Sequence, residues 1–208
     1  MKKTMIKAAL AGSMLFSLVL GQVVVMGTGV ANAEASTATT KPVMDNLSQY
    51  GLKKDLELPV TVTAGGLSYT LHKVMIFDYE STAAIALRDK YQYAPHAEVL
   101  SDPEYFVWTK ITIANNSKKT VERSVKDMFY KWRLFFESGG EAYPAMSAVM
   151  RTTPNSKEAL RNFTLKPGES LTTYQALYYK GKFDFLRIGL RYNNQYVDKY
   201  VVNELVSQ

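Results

Sequence analysis

The feature that most constrains the fold is the alternation of side chains between Tyr105 and Ser117. Val107, Ile111 and Ile113 share one parity there, so they lie on one face of an extended strand. Period-two alternation among β-branched and aromatic residues is typical of a strand with one buried face. The pattern predicts a central strand whose three apolar side chains enter the core. An Asn-Asn-Ser turn ends it, because asparagine tolerates positive φ and bonds the local backbone.

The same period precedes this strand in a predicted hairpin. Leu58–Thr63 and Leu67–Val74 both alternate, and Gly65 and Gly66 between them supply the positive φ that a tight turn demands. Three apolar residues of the second strand share one face, namely Leu67, Tyr69 and Leu71. The hairpin therefore has one face suited to a core and one suited to solvent.

Alternation continues in the second half of the chain. Lys166–Glu169 carries Pro and Gly at its central positions, which is the signature of a type II turn between strands. The predicted strands there are Ala159–Leu165, Leu171–Tyr179, Phe183–Tyr192 and Tyr196–Leu205. The residues predicted to face inward are Trp132, Leu134, Phe136, Leu186, Ile188, Leu190 and Tyr192. About seven to nine short strands predict an all-β, immunoglobulin-like antiparallel β-sandwich over residues 58–208, with short helices added.

Two long connections interrupt the strands. In Ser81–Glu104, Ser81 is placed to cap a short helix over Ala83–Arg88, and a Tyr-rich loop that contains proline follows. Pro144–Ser156 is the second long connection. Connections of this length in a small domain are uncommon and are usually functional or mobile. We therefore expect a functional surface on these two connections.

Residues 1–33 predict a secretory signal peptide. Lys2, Lys3 and Lys7 precede an apolar run that ends in an A-x-A site, which predicts cleavage after Ala33. The alternative is an uncleaved anchor, because the apolar run approaches the roughly 20 residues that span a bilayer. Residues 34–57 are interpreted as a linker or a short helix. No later stretch is apolar over such a length, so we expect a secreted or cell-wall-associated protein without a membrane span after signal cleavage.

Cysteine content and charge exclude several classes of protein. The sequence has no cysteine, which excludes disulfides, cysteine–zinc sites and a thiol nucleophile. Its 25 basic and 19 acidic residues give +6, and loss of the three lysines of the predicted signal leaves 22 against 19, or +3. A surplus this small and dispersed predicts no nucleic-acid partner, because nucleic-acid binding needs a concentrated basic surface.

Several segments together resemble a known family. They are the Leu58–Leu71 hairpin, the Asn-Asn-Ser turn, Leu-Lys-Pro-Gly-Glu-Ser-Leu at 165–171 and Phe-Leu-Arg-Ile-Gly-Leu at 185–190. Over roughly residues 58–205 the chain resembles the telokin-like, immunoglobulin-like extracellular domains of Gram-positive bacteria, a group of unknown function. The resemblance implies an extracellular β-sandwich and supplies no catalytic motif. This chain differs in lacking a lipobox cysteine and in its longer, Tyr-rich insertion at residues 81–104.

Residues that carry out catalysis or bind metals are sparse in this sequence. It has no serine-nucleophile motif, and His72 and His96 do not have the spacing of a zinc site. Acidic pairs that could serve a glycosidase or calcium flank the first long connection, at Asp78/Glu80 and Asp102/Glu104. We interpret both pairs as solvated loop residues, so the sequence predicts no catalytic residue, metal or cofactor.

The chain is rich in aromatic residues, which make up 12% of the sequence. Tyrosine and tryptophan supply rigid, amphipathic contact area in binding surfaces. Tyr91, Tyr93 and His96 are therefore the candidate partner surface, the alternative being that most of the 14 tyrosines cover the rims of the core. The sequence favours a non-enzymatic module that binds a protein or a cell-envelope polymer. It leaves open a hydrolase of envelope carbohydrate that uses Asp/Glu pairs, and a structural protein that self-assembles through strand edges.

Overall fold

The computed structural model describes residues 45–127 and 130–203. The predicted signal peptide, with its cleavage at Ala33, lies outside the described residues, as does the end of the predicted strand Tyr196–Leu205. Within the two described ranges, no helix combines the length and the apolar character needed to cross a membrane.

The described residues form eleven strands in antiparallel sheets, which confirms the prediction of an all-β sandwich. In chain order the strands are β1 (Val60–Ala64), β2 (Leu67–Asp78), β3 (Tyr105–Asn115), β4 (Val121–Ser124), β5 (Lys131–Glu137), β6 (Gly140–Glu141), β7 (Tyr143–Pro144), β8 (Asn162–Leu165), β9 (Ser170–Tyr179), β10 (Leu186–Tyr192) and β11 (Gln195–Val202). The first sheet has the order β1-β2-β3-β9-β7, the second has the order β11-β10-β5-β6, and β4 pairs with β8. The strand number exceeds the prediction because β6 and β7 are two-residue edge strands that leave no alternating pattern.

The main core lies between the inner faces of the two sheets. On β3, Val107, Ile111 and Ile113 are fully buried, as the alternation predicted. The inward-facing residues predicted on β5 and β10 are all buried as well. Each fully buried aliphatic or aromatic side chain contributes about 1.5–3 kcal/mol to stability. This shared core holds the two sheets together.

A β-bulge in β2 interrupts its alternation. The register pairs Leu71 with Ile111 but Lys73 with Lys110, so His72 is an extra residue. The buried aliphatic residues of β2 therefore have odd numbers before the bulge and even numbers after it. A bulge has this effect because one inserted residue shifts every later side chain to the opposite face.

The predicted glycine turns are present. Gly65 and Gly66 have φ values of 54° and 88°, in the left-handed region that glycine enters at no steric cost. Gly168 has a φ of 80°, and the Glu169 amide donates to the Lys166 carbonyl at 3.0 Å, which confirms the type II turn. The Gly65-Gly66 turn closes the β1–β2 hairpin, whereas Lys166–Glu169 connects β8, which pairs with β4, to β9 of the first sheet.

The Asn-Asn-Ser turn differs from the prediction in its mechanism. Neither Asn115 nor Asn116 has a positive φ. Instead, Oδ1 of Asn115 accepts from the Ser117 amide at 3.0 Å, and Nδ2 donates to the Leu165 carbonyl at 2.8 Å. The side-chain amide therefore ends β3 and ties it to β8, as local backbone bonding by asparagine allows.

One α-helix follows β2 in the described chain. It is α1 (Thr82–Tyr91), and Oγ of Ser81 accepts from the Ala84 amide at 3.3 Å as an N-cap. The helix extends beyond the predicted Ala83–Arg88, because Ala84 and Tyr91 bury one side against the first sheet. It ends at Gln92, whose φ is 49°.

Residues 45–57 pack against the sandwich. They contain a single 3-10 turn, Leu47–Tyr50, which ends at Gly51 with a φ of 77°. Leu47 and Leu52 belong to the main core, with 0% and 2% of their surface exposed. This segment therefore contributes to the same apolar core as the strands.

Candidate functional site

A second apolar cluster lies on the outer face of the first sheet. It forms where α1 and the two long connections cover one half of that face, and its members include Tyr91, Tyr93, Ala97, Phe106, Ala176 and Tyr178. Phe106 and Tyr178 have the opposite parity to the main-core residues of β3 and β9, so their side chains leave the opposite face of the sheet. The long connections are thus packed structure with a core of their own.

Tyr91 and Tyr93 lie inside this cluster. Only 5% and 7% of their surfaces are exposed, and the Tyr91 ring stacks on Trp108 with centroids 5.6 Å apart. Burial raises the pKa of the Tyr93 phenol, and the neighbouring Tyr91 and Tyr178 raise it further. The two rings are therefore largely buried, because they complete the packing between α1 and the sheet. That the loop itself binds a partner stays a prediction.

The Tyr93 hydroxyl is buried and has no hydrogen-bond partner in the described structure. We expect Tyr93→Phe to leave the free energy of unfolding unchanged or to raise it by about 1 kcal/mol, because an unpaired polar group is removed. We expect Tyr93→Ala to lower it by about 3 kcal/mol through lost packing. Urea denaturation of the two variants measures both effects. Equal destabilisation by both would show that the hydroxyl has a partner after all.

His96 is exposed on segment 94–99. The hydroxyl of Tyr178 donates to the Ala94 carbonyl, and the hydroxyl of Tyr79 donates to the Pro95 carbonyl. Nδ1 of His96 lies 3.1 Å from the Ala97 carbonyl oxygen. Two consecutive carbonyls held by buried or half-buried phenols fix the path of this segment.

Segment 94–99 forms one wall of a groove of about 570 Å³, which we call the 94–99 groove. The opposite wall is the chain that passes from β6 to β7, at the edges of the two sheets. The side chains that line it include His96, Val99, Lys131, Glu141, Tyr143 and Met146. Val99 is 69% exposed at the rim. The volume falls in the usual range of small-molecule sites, about 300–1,000 Å³.

The floor of the groove carries balanced charge. Glu141 accepts from Lys131 Nζ at 2.7 Å and lies 3.4 Å from Arg133 Nε. Glu98 and Lys126 also line the groove, so it contains two acidic and two basic side chains together with His96. A hollow of about 460 Å³ continues past Val99 and Glu141 toward β6. The groove itself is therefore mostly apolar, whereas the adjoining hollow is more polar, and the two together carry charges of both signs.

The two acidic pairs are brought side by side by the sheet. The Tyr79 amide donates to the Glu104 carbonyl at 2.9 Å, next to the Asp78 end of β2. Lys180 contacts the Asp102 carboxylate and lies 4.0 Å from Glu104. The hydrogen bond from Lys180, with its charge, lowers the pKa of Asp102. An acid catalyst in a glycosidase needs a raised pKa, so the shift of Asp102 is in the wrong direction for that role.

The two histidines lie in different surroundings. Nε2 of His72 is 2.7 Å from Oγ1 of Thr112 on the outer face of the first sheet. Burial, and then the charge of Lys110, lower the pKa of His72. Among residues 45–127 and 130–203, no group of three or more His, Asp and Glu side chains is arranged to hold a metal ion.

Comparison with known proteins identifies only distant structural similarity. No family model matches the chain, and no curated protein matches it. The yjhA protein from Bacillus subtilis has a TM-score of 0.42 and 14% identity, covering 70% of this chain and 96% of that chain. A functionally unknown protein from Listeria monocytogenes EGD-e has a TM-score of 0.41 and 12% identity, covering 70% and 81%. A conserved hypothetical protein from Bacillus anthracis has a TM-score of 0.38 and 15% identity, covering 69% and 93%.

The sequence pointed to His96 but not to the other side of the groove. Glu141 and Tyr143 belong to strands of two residues, which are too short to show a period. The turn at Gly139, with a φ of 81°, was the available signal that the chain reverses beside them. That reversal pairs β6 with β5 at the edge of the second sheet, while β7 pairs with β9 at the edge of the first.

Proposed function

We propose that the protein is a secreted, non-enzymatic binding module that holds an extended segment of a partner protein in the 94–99 groove. In this proposal the sandwich is an immunoglobulin-like domain of the telokin-like type and acts outside the cell or at the cell wall. The groove is the observation that carries it, since a mostly apolar cleft of about 570 Å³ with a few polar groups is the common form of a ligand site.

The lining of the groove favours a peptide over a uniformly charged polymer. Val99, Tyr143 and Met146 offer apolar contact to side chains, and methionine adapts to varied shapes. Glu98 and Lys126 add one charge of each sign, while Glu141 and Lys131 neutralise each other at 2.7 Å. Such a mixture suits a peptide that alternates apolar and charged residues, whereas a polymer of one repeated charge would meet repulsion from half of the groove.

The test uses a random twelve-residue peptide library displayed on phage and selected on the mature protein. We expect the selected peptides to bind Val99→Asp at least about tenfold more weakly than wild type, because the new charge loses apolar contact and requires desolvation. Val99 is 69% exposed, so the substitution does not disturb the core. Fluorescence polarisation with labelled peptides gives the dissociation constants.

The matched control is Val197→Asp on β11, where the valine is 38% exposed and lies in the other sheet. It introduces the same charge away from the groove and should leave peptide affinity unchanged. Equal weakening by both variants, or a library that yields no binding peptide, would contradict the proposal. The hydrolase and self-assembly alternatives stay predictions without an observation of comparable weight.

A further inference from the structure

The other half of the first sheet's outer face is uncovered and rich in hydroxyl groups. Oγ1 of Thr112 lies 2.8 Å from Oγ1 of Thr172, and Thr112 also contacts His72 at 2.7 Å. Thr61 and Thr70 are linked in the same way at 2.8 Å. These contacts run across β1, β2, β3 and β9, so hydroxyl donors and acceptors extend over four neighbouring strands.

Two lysines stand side by side in this field. Lys73 of β2 and Lys110 of β3 are directly opposed in the register, beside the bulge at His72. Both are partly exposed, and neither has an ion-pair partner in the described part of the chain. Like charges directly opposite on neighbouring strands are destabilising. The repulsion between the two lysines therefore lowers the stability of the fold. An anion bound between the two ammonium groups would offset that repulsion.

The surrounding face has no carboxylate to neutralise them. The outward positions of β1, β2, β3 and β9 carry threonine, serine, lysine, alanine, methionine and aromatic residues, but neither aspartate nor glutamate. Glu158, on the chain that covers the other half of this face, is 3.6 Å from Lys90. The positive charge at Lys73 and Lys110 is thus available to a ligand.

Aromatic rings border the lysine pair. Trp108 precedes Lys110 by two residues on β3, and its ring stacks on Tyr174 with centroids 5.4 Å apart and planes at 11°. Tyr174 is also the direct register partner of Lys110 on β9. Both rings are partly exposed. Both rings are amphipathic: the apolar ring can pack on apolar parts of a ligand while the indole N–H or the phenol hydroxyl remains in contact with water.

We propose that this surface, the Lys73–Lys110 face, binds a sugar polymer that carries phosphodiester groups. Lysine is a common binder of phosphate, which it contacts as a compact point charge, and the directly opposed pair supplies two such charges. Threonine hydroxyls complete a donor set for the remaining phosphate oxygens, and Trp108 and Tyr174 contact the adjoining sugar. A single lysine pair is too little for a nucleic acid, whose strands carry a charge about every 3.4 Å.

The experiment measures binding of a mannan with phosphodiester groups, and of the same mannan after its phosphates are removed, by biolayer interferometry. We expect binding of the phosphorylated form at about 50 mM NaCl that weakens at about 300 mM, since the attraction is partly screened. Phosphate removal should abolish it. Lys110→Gln and Lys73→Gln should each weaken it at least about tenfold, and Lys199→Gln on β11 should leave it unchanged.

Thermal unfolding of the same variants separates lost binding from lost folding. Lys110→Gln removes the opposed charges, so its midpoint should equal or exceed that of wild type while binding falls. Three results would overturn the proposal. The first is equal binding of the dephosphorylated mannan, and the second is undiminished binding by Lys110→Gln. The third is tighter binding of a competing polyanion, either oligogalacturonate, which carries carboxylates, or single-stranded DNA. Val99→Asp should bind the mannan as wild type does. A result against peptide binding in the 94–99 groove is therefore distinguishable from a result against polymer binding at the Lys73–Lys110 face.

Discussion

Replacing Ile111 by aspartate is expected to lower the free energy of unfolding by about 4 kcal/mol or more, because it places an unpaired carboxylate in the core. Ile111 is fully buried at the centre of β3, between β2 and β9. The loss of stability has two parts. Apolar packing is lost, and a charge is desolvated without a basic side chain beside it in the described part of the core. The midpoint of urea unfolding measures it, and the variant should be largely unfolded without urea if the domain has ordinary stability.

The control is Lys110→Asp, one residue earlier and on the opposite face. The new carboxylate is partly exposed there and faces Lys73, so we expect a change within about 1 kcal/mol and of stabilising sign. The two variants carry the same new residue on the same strand. An Ile111→Asp midpoint close to wild type would show that the inward face of β3 had been misassigned.

The second large effect is expected at Asn46, which completes the free edge of β2. Its Nδ2 donates to the Ile76 carbonyl at 2.6 Å, and its Oδ1 accepts from the Ile76 amide at 2.8 Å. β1 pairs with β2 only as far as Leu71, so the asparagine side chain replaces a missing strand at this point. Asn46→Ala leaves the buried Ile76 amide unpaired, at a cost of about 1–3 kcal/mol, and leaves the Ile76 carbonyl with only the 3.2 Å bond from the Tyr50 hydroxyl. We expect the free energy of unfolding in urea to fall by about 2 kcal/mol.

Asn155 provides a matched control for this arrangement. It makes the same two bonds to the backbone of Thr164, at 2.8 and 2.9 Å, but at an exposed position. Asn155 has a φ of 57°, so the replacement is glycine, which adopts that conformation without strain. Because water can replace the lost bonds there, we expect Asn155→Gly to cost less than about 1 kcal/mol. If Asn46→Ala costs no more than this control, Asn46 does not complete the sheet as described.

The elements that could be predicted are those with local causes. The alternation in β3, β5 and β10, the Gly65-Gly66 turn and the Ser81 cap each depend on residues within a few positions of one another. Their physics is therefore present in the sequence itself. The bulge at His72 was not predictable in the same way, because it depends on which residue of β3 pairs with Lys73.

The candidate sites depended on contacts between distant segments. Tyr91 and Tyr93 belong to a loop by local composition, yet α1 turns them onto Phe106 and Trp108. Asn46 lies 30 residues from the Ile76 backbone that it completes. An aromatic residue in a polar loop contributes to a surface or to a small core according to what covers it, which composition does not specify.

The chain's own residue pattern was sufficient to establish an antiparallel β-sandwich and the inward face of its central strand, because alternation and turn chemistry act over short distances. Only the folded chain showed which tyrosines are buried, where the 94–99 groove opens and which lysines oppose each other. Each of these depends on the pairing of strands and loops that are dozens of residues apart. Such pairing is selected by packing of the whole domain, so no local stretch of sequence encodes it alone.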